Sequence, residues 1–316
     1  MPLLTSRTSR TKVRKQDDED LLLQIEALSA FEQAAANELT ATLLGTFERV
    51  SASANTFEFL QAIANNNLVQ AKVVLSWGDF ADAIDILEQV LHAQLQSGGP
   101  LGLPELGVGF RYQFEATNPL GIDWAKQEAA RQIRELTLEQ QGVVNQTIVD
   151  AISKGYSVDD VQFIVSNTIG LHSRWAKAVD TKYEKTLENL LAQGYSPTKA
   201  REQARRITKE YHDELVDKRA RAIARTEVLS AHNAGRYLTW EDAIAAGIAP
   251  TNALKKWVVR VPERSGSPCE DCLPLNGLIV PYNEEFDGLV MMPPLHPNCV
   301  CTAVMVIPED PEYSDI

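Results

Sequence analysis

Cysteine is absent from the first 268 residues of this chain, and its four cysteines all lie between positions 269 and 301. Long apolar runs are also absent, so the sequence predicts no transmembrane helix. The N-terminal residues lack the apolar stretch of a signal peptide, and we therefore expect a protein that stays in a cytosol or in a particle assembled there. No Gly-x-Ser-x-Gly, Ser-His-Asp or Walker-type pattern is recognisable, which excludes the hydrolase and P-loop classes that these motifs define.

Positive charge is scarce overall but concentrated in two places. The formal net charge is −13, which argues against a protein that coats DNA nonspecifically. Residues 199–225 nevertheless hold nine Lys and Arg against five Asp and Glu. The first 15 residues carry five positive charges and no negative ones, namely Arg7, Arg10, Lys12, Arg14 and Lys15. This basic arm permits contact with nucleic acid or an acidic partner, and an arm that is merely solvated is the alternative.

The hydrophobic pattern predicts a mainly α-helical protein with a small C-terminal α+β module, in which short strands are clamped by a zinc knuckle. Helices are expected over 18–49, 56–75, 79–96 and most of 123–246, and short strands over 255–261, 278–280 and 302–307. The predicted division has five consecutive parts: a basic flexible arm (1–17), an N-terminal helical region (18–97), a Gly/Pro-rich loop (98–121), a helical body (122–247) and the zinc-clamped sheet module with an acidic tail (248–316).

Two helix boundaries repeat one pattern 39 residues apart. In each, a glycine (Gly155 or Gly194) suits the left-handed residue that closes a helix, and a serine two positions later can cap the next helix. Pro197 falls where the first turn of a helix tolerates proline. The repeat predicts antiparallel helix hairpins, and two copies are too few to predict a solenoid.

The cysteine cluster is the densest chemistry in the sequence. Zinc prefers four ligands, with thiolate sulfur and imidazole nitrogen as favourites. Five candidates stand within 33 positions: Cys269, Cys272, His296, Cys299 and Cys301. A four-cysteine site and a site of three cysteines with the histidine both remain open. A surplus of ligands indicates a closed, structural Zn²⁺ rather than a catalytic one, which keeps an open position. Two disulfides or plain buried thiols are the alternatives, and a reducing compartment disfavours disulfides.

Several motifs follow one another in the second half of the chain. They are Arg219-Ala-Arg-Ala-Ile-Ala-Arg225-Thr226-Glu227, Asn233-Ala-Gly, Trp257, Cys269-x2-Cys272 with Leu275-Asn-Gly, and Pro293-Pro-Leu-His296-Pro-Asn-Cys299-x-Cys301-Thr. In this order they resemble the phage head morphogenesis family, the minor head proteins similar to protein F of phage Mu. The resemblance spans roughly residues 120–305, and residues 1–110 do not carry it.

The resemblance implies a structural virion component rather than an enzyme. It implies a minor capsid protein present in few copies, located at the portal vertex or the head interior, and in the host cytoplasm during assembly. The implied partners are the portal protein and/or the major capsid protein, without a membrane. It also implies a role in DNA packaging or ejection. If DNA is bound, the charge pattern predicts that residues 1–15 and the helix over 199–225 contact it.

The Arg-Thr-Glu motif has a physical interpretation beside the resemblance. Arg225 and Glu227 are two positions apart on a predicted helix, so they point to different faces and cannot pair with each other. Arg225 shares its face with Asn233, whereas Glu227 shares the other with small residues such as Ala231 and Gly235. We expect the zinc module to pack on this small-residue face and the motif to be structural. A catalytic Arg225–Glu227 pair is the alternative.

Two alternative functions could be assigned to the cysteine motifs. A zinc deaminase carries His-x-Glu followed by Pro-Cys-x2-Cys, which His212-Asp-Glu214 and Pro268-Cys269 imitate. That hypothesis leaves the second cysteine pair unexplained, and a turn rather than a helix is expected after Cys272. A zinc-dependent nucleic-acid-binding module is the other rival, but residues 226–316 hold thirteen Asp and Glu against five Lys and Arg.

Overall fold

The computed structural model describes residues 17–99, 119–260 and 269–308, with side chains described from Ala30 onward. These residues are mainly helical, with a three-stranded antiparallel sheet near the C-terminus. The helices are α1 (Asp17–Ser53), α2 (Phe57–Ala64), α3 (Leu68–Val74), α4 (Ile84–Gly98), α5 (Pro119–Ser153), α6 (Val158–Ser166), α7 (Ser173–Ala192) and α8 (Pro197–Ala245). A 3₁₀ helix, Trp77–Ala83, leads into α4. The predicted fold class is confirmed in its helical body and small sheet.

The helix boundaries that the sequence predicts at Gly155, Gly194 and Pro197 are present in the structure. Gly155 follows α5 with φ of 73°, and Gly194 follows α7 with φ of 87°, both in the left-handed region that glycine tolerates. The Ser157 hydroxyl accepts a hydrogen bond from the backbone N–H of Asp160 and caps α6. Pro197 is the first residue of α8, which continues for 49 residues without the break that the sequence left open.

The sheet has the order β2-β1-β3, with β1 (Leu254–Val258) in the centre. Strand β2 (Ile279–Pro281) and strand β3 (Thr302–Val306) pair with β1 in antiparallel fashion. Lys255 and Trp257 form the buried side of β1, whereas every residue of β3 is buried. The sheet core contains Trp240, Trp257, Phe286, Met305 and three of the four cysteines. Cys272, Cys299 and Cys301 therefore lie inside the apolar core, and Cys269 packs against it.

The chain divides into two compact units, each assembled from segments that are distant in sequence. Unit 1 contains Met1–Gln33, His92–Ile122 and Thr226–Ile316, as far as these are described. Unit 2 contains Ala34–Leu91 and Asp123–Arg225. The sequence-based division had consecutive parts, and it placed α4 in a different part from the cysteine module. The end of α4 instead belongs to the unit that holds the cysteines.

Within unit 1, α4 and α8 approach each other backbone to backbone. A Cβ on Gly98 would lie 2.0 Å from the carbonyl oxygen of His232, and a Cβ on Gly235 would lie 1.9 Å from that of Leu95. Real side chains never sit so close to a carbonyl oxygen, so both positions require glycine. The small face of α8 at Gly235 is therefore occupied by α4.

Within unit 2, a buried carboxylate links three helices. Asp160 accepts hydrogen bonds from the hydroxyl of Tyr183 at 2.6 Å and from the guanidinium of Arg205 at 2.8 Å. The Ser157 hydroxyl donates to it as well, at 2.7 Å. Burial alone would raise the pKa of Asp160, but these hydrogen bonds hold it below its ordinary value. One side chain thus joins the start of α6 to α7 and α8.

Candidate metal centre

The first ligand pair lies on a tight turn that is bonded to the central strand. The backbone N–H groups of Cys272 and Leu273 both donate to the carbonyl of Cys269, at 3.2 and 3.0 Å. A short 3₁₀ turn, Leu273–Leu275, follows directly. Asn276 then accepts a hydrogen bond from the backbone N–H of Val259, just beyond β1. The turn that was expected after Cys272 is confirmed, and β1 holds it in place.

The second group of ligands lies on the segment that enters β3. The Cys299 backbone N–H donates to the carbonyl of His296 at 3.1 Å, and Asn298 between them takes the left-handed conformation with φ of 63°. Cys301 immediately precedes β3, whose pairing with β1 fixes its direction. Because both groups are attached to β1, residues 24 to 32 positions apart in the sequence converge at one place.

The five candidate ligand atoms form two overlapping groups. Those of Cys269, Cys272 and His296 lie within 4.8 Å of one another, and so do those of Cys272, Cys299 and Cys301. His296 Nε2 is 2.9 Å from Cys269 Sγ and 3.2 Å from Cys272 Sγ. Cys272 belongs to both groups and is the centre of the cluster. None of these four cysteines forms a disulfide, so the disulfide alternative has no support.

The ring of His296 is oriented as in a metal ligand. Its Nδ1 lies 2.8 Å from the carbonyl oxygen of Pro297, which can only accept a hydrogen bond. Nδ1 therefore carries the proton, and the lone pair of Nε2 faces Cys269 and Cys272. Histidines that bind zinc are commonly held by this kind of bond to a backbone carbonyl. The sequence had left open whether His296 is spare, and its orientation favours a ligand.

One sulfur–sulfur distance in the cluster matches the dimensions of a zinc site. Two sulfurs bound to zinc at about 2.3 Å in tetrahedral geometry are roughly 3.8 Å apart. Cys272 Sγ and Cys299 Sγ are 3.7 Å apart. Cys272, Cys299 and Cys301 are buried, and Cys269 is half-buried. The residues present could therefore hold a metal ion.

The sulfurs are too crowded to ionise together. Hydrogen bonds from the Cys301 thiol, and from the backbone N–H groups of Cys301 and Leu295, lower the pKa of Cys299 to about 5 in spite of burial. Burial and the charge of Cys299 raise the pKa of Cys272 to about 12. The bond to Cys299, together with burial, raises the pKa of Cys301. One thiolate forms readily, and further thiolates need a bound cation to offset their repulsion.

The cysteine segment is bonded to α8 by polar side chains. Asn233 is fully buried; its amide donates to the Cys301 carbonyl at 3.3 Å, and its oxygen accepts from the Thr302 hydroxyl at 2.7 Å. Arg236 donates to the same hydroxyl at 3.1 Å. The prediction that the module packs on the small-residue face is therefore wrong at Gly235, which lies against α4. The face of α8 that carries Asn233 provides the hydrogen bonds to the cysteine segment, because buried backbone carbonyls need polar partners.

The other predicted site residues lie elsewhere. Glu227 is buried and Arg225 is half-buried on α8, which is compatible with structural roles. His212 is buried, and its Nε2 lies 3.1 Å from the Ile169 carbonyl, so it is engaged in helix packing within unit 2. This packing role of His212 gives no support to the deaminase hypothesis. The residues of the basic arm, namely Arg7, Arg10, Lys12, Arg14 and Lys15, lie outside the described part of the chain.

Lys255 is a buried cation that sequence reasoning missed. Its ammonium donates to the Met291 carbonyl at 2.7 Å and lies 4.9 Å from the centre of the Phe286 ring. Burial lowers the pKa of Lys255 to about 8, although Glu284 and Glu285 act in the opposite direction. The sequence could have indicated this burial, because strand alternation puts Lys255 on the same side of β1 as Trp257. Lys255 ties the segment that leads to His296 onto β1.

The fold and the site define a mainly helical protein with a closed cluster of thiols and an imidazole that could hold a metal ion. A family model described as phage Mu protein F like protein matches residues 143–304. The chain belongs to this family. Membership indicates a structural protein of phage head morphogenesis and a place in the virion. No curated protein and no solved structure matches the chain. Among the described residues, no helix is long and apolar enough to cross a membrane.

Proposed function

We propose that this protein is a minor head protein, present in few copies at the portal vertex or inner head wall, whose C-terminal unit is held in shape by a structural zinc ion. The observation that carries the proposal is the gathering of five candidate ligand atoms in two overlapping groups in unit 1, three of them in its buried core. A catalytic zinc needs an open position, and this cluster offers a surplus of ligands instead. The metal would stabilise the fold rather than perform chemistry.

Four of the five candidates are proposed as the zinc ligands: Cys269, Cys272, His296 and Cys299. Cys269, Cys272 and His296 converge at His296 Nε2, and Cys299 lies one tetrahedral edge from Cys272. Cys299 also accepts backbone hydrogen bonds, as zinc-bound thiolates commonly do. Cys301 then acts as a hydrogen-bond donor to the Cys299 sulfur. We therefore propose the site of three cysteines and the histidine, one of the two options that the sequence left open.

Metal content tests the assignment directly. Purified wild-type protein should contain one zinc per chain, and serine variants of Cys269, Cys272 and Cys299, or His296→Asn, should retain far less. Cys301→Ser should keep one zinc, and the cobalt-substituted protein should show the absorption of tetrahedral three-sulfur coordination. A wild-type protein without stoichiometric zinc contradicts the centre. Zinc loss on Cys301→Ser with full retention in His296→Asn contradicts the assignment and indicates a four-cysteine site.

The partner-specific contacts are proposed to lie in the N-terminal helices, outside the family match. Phe57 on α2 is 72% exposed, and Val69 and Val73 on α3 are 73% and 69% exposed. These apolar side chains face solvent at positions where a folded chain gains nothing from them, which is typical of a contact surface. The proposed occupant is the portal protein, with the major capsid protein as the other candidate.

Co-purification with the portal protein tests this surface. Phe57→Ser combined with Val73→Ser should reduce capture without lowering the melting temperature. Val149→Ser is the matched control, because Val149 is 44% exposed on α5 but lies inside the family-matched region. Equal capture of all variants would remove these helices from the contact.

Contact with viral DNA is proposed for the basic arm. On α8, the positive charges of Arg206, Lys209 and Arg221 are each paired with a carboxylate one turn away. Residues 1–15 of the arm carry five positive charges and no acidic residue. Removing residues 1–15 should weaken DNA binding and reduce its dependence on salt, because phosphate contacts release counterions. Unchanged, salt-sensitive binding by the truncated chain would exclude the arm.

A further inference from the structure

The segment that carries Cys299 and Cys301 is fastened to α8 at both of its ends. At the start, the backbone N–H of Asn298 donates to the hydroxyl of Thr226 at 3.0 Å. At the end, the Cys301 carbonyl and the Thr302 hydroxyl are bonded by Asn233. Both cysteine side chains therefore belong to a five-residue segment whose backbone is held at its two ends by one helix.

The spacing of these contacts shows that the segment follows the helix. Asn233 lies seven residues, or about two turns, after Thr226, so the two side chains share one stripe of α8. Seven residues of helix rise about 10 Å. The chain from Asn298 to Cys301 is three residues long, which is enough to cover about 10 Å. The segment is therefore long enough to reach both contacts on α8.

We infer that Thr226 and Asn233 are positioning residues for the metal, which hold the Cys299 segment ready for binding before the metal arrives. This inference rests on the proposed zinc site. A ligand segment that is already ordered loses less conformational entropy when the metal binds, so the affinity is higher. By thermodynamic linkage, bound metal strengthens the docking of the segment on α8 by the same factor.

The inference also joins two motifs that look independent in the sequence. Thr226 is the threonine of the Ala-Arg-Thr-Glu stretch, and Asn233 follows it on the same helix. Their polar atoms are directed to the backbone of the Pro-x-His-Pro-Asn-Cys-x-Cys stretch, 68 to 72 residues later. The helix motif thus serves the metal segment without providing a ligand.

Zinc affinity in single variants of the full chain tests the inference. Thr226→Val keeps the shape of the side chain but loses the hydroxyl that accepts from Asn298, and affinity should fall about fivefold, as for one hydrogen bond. Asn233→Ala should lower it about 10- to 100-fold, as for groups that orient metal ligands. Thr226→Ser keeps the hydroxyl and should restore the wild-type value. The readouts are competition with a chromophoric chelator and the rate of zinc release.

Thr239→Val is the matched control for general destabilisation. Thr239 is fully buried on the same helix, and its hydroxyl bonds the Gly235 carbonyl of α8 itself. Its variant should lose stability but release zinc at the wild-type rate. If Thr226→Val and Asn233→Ala bind zinc as wild type does, or if Thr239→Val weakens binding equally, the positioning role is wrong although the zinc centre stands. A wild-type chain that binds no zinc overturns the centre and the inference together.

Discussion

Gly98 on α4 and Gly235 on α8 lie at the same helix crossing, and each faces the backbone of the opposite helix. The contact is reciprocal: the partner of Gly98 is the His232 carbonyl, and the partner of Gly235 is the Leu95 carbonyl. No flexible side chain is present at either point to move aside. The crossing therefore fixes the separation of two helices in the unit that carries the cysteines.

Alanine at either glycine should be strongly destabilising. A methyl group 1.9 to 2.0 Å from a carbonyl oxygen forces the helices apart, and overpacking of this kind costs about 2 kcal/mol or more. Gly142→Ala on α5 is the control, since nothing lies within 4 Å of its added methyl group. That change should stabilise the protein by up to about 1 kcal/mol through helix propensity. Urea unfolding of the three variants measures the difference, and a neutral Gly235→Ala would contradict the crossing.

His232 should make the protein sensitive to mild acid. Burial, together with the nearby Arg236 and Arg260, lowers the pKa of His232 from 6.5 to about 3. Below pH 6.5, His232 binds a proton in the unfolded chain but not in the folded one. The free energy of unfolding therefore has its full value above pH 6.5 and decreases as the pH falls toward 3. The free energy of unfolding should fall by about 1.4 kcal/mol per pH unit in this window.

His232→Gln should flatten this dependence on pH. Denaturation at pH 7.5, 6.0 and 5.0 measures the slope, and comparison of variants at each pH cancels the acid sensitivity of the metal ligands. His92→Gln is the control, because His92 lies half-buried in the same unit beside Gln96. A wild-type slope in His232→Gln would show that another group titrates.

Asp160→Asn should weaken unit 2 by about 3 kcal/mol at pH 7, because it leaves Arg205 without its buried carboxylate. The pKa of Asp160 is below its ordinary 3.8 in the folded chain. Its stabilisation is therefore fully present above pH 3.8 and disappears as the pH falls through the lowered value, where wild type and variant should converge. Asp150→Asn, at an exposed carboxylate bonded to Gln146, should change stability little. Equal effects of the two variants would contradict the network.

Removal of zinc should be visible in tryptophan fluorescence. Trp257 lies fully buried in the same core cluster as the cysteines, and loosening of the metal segment would expose it to water. Chelation of the zinc-loaded protein should shift the emission to longer wavelength and lower Tm by about 10 °C. Trp257→Phe should reduce the spectral shift and leave only the part due to Trp240 in the same core, whereas Trp175→Phe, in unit 2, should preserve it. An emission spectrum that chelation does not change would place the metal elsewhere.

Local features of this fold could be predicted from the sequence, because their causes are local. A left-handed glycine after a helix and a serine cap before the next need no distant partner, and Gly155, Gly194 and Ser157 behave as expected. The five candidate metal ligands could likewise be identified from their spacing in the sequence. Their division into two groups around Cys272 could not, because it depends on how both segments pair with β1.

Contacts between distant residues account for what the sequence did not predict. Gly98 was interpreted as a helix breaker, and it is the last residue of α4 and part of a crossing with a helix more than 130 positions later. The small-residue face of α8 was assigned to the wrong neighbour for the same reason. Thr226 and Thr302 gave no signal of their own, since a threonine becomes informative only when its bonding partner is known.

The sheet formed by the described residues is closed to neighbouring copies. Strand β3 is buried along its whole length, and β2 is three residues long and ends at Pro281, which has no N–H to donate. Unprotected strand edges promote intermolecular pairing and aggregation, above all at high concentration. This short, blocked sheet keeps the protein from polymerising through its β-strands when its local concentration is high.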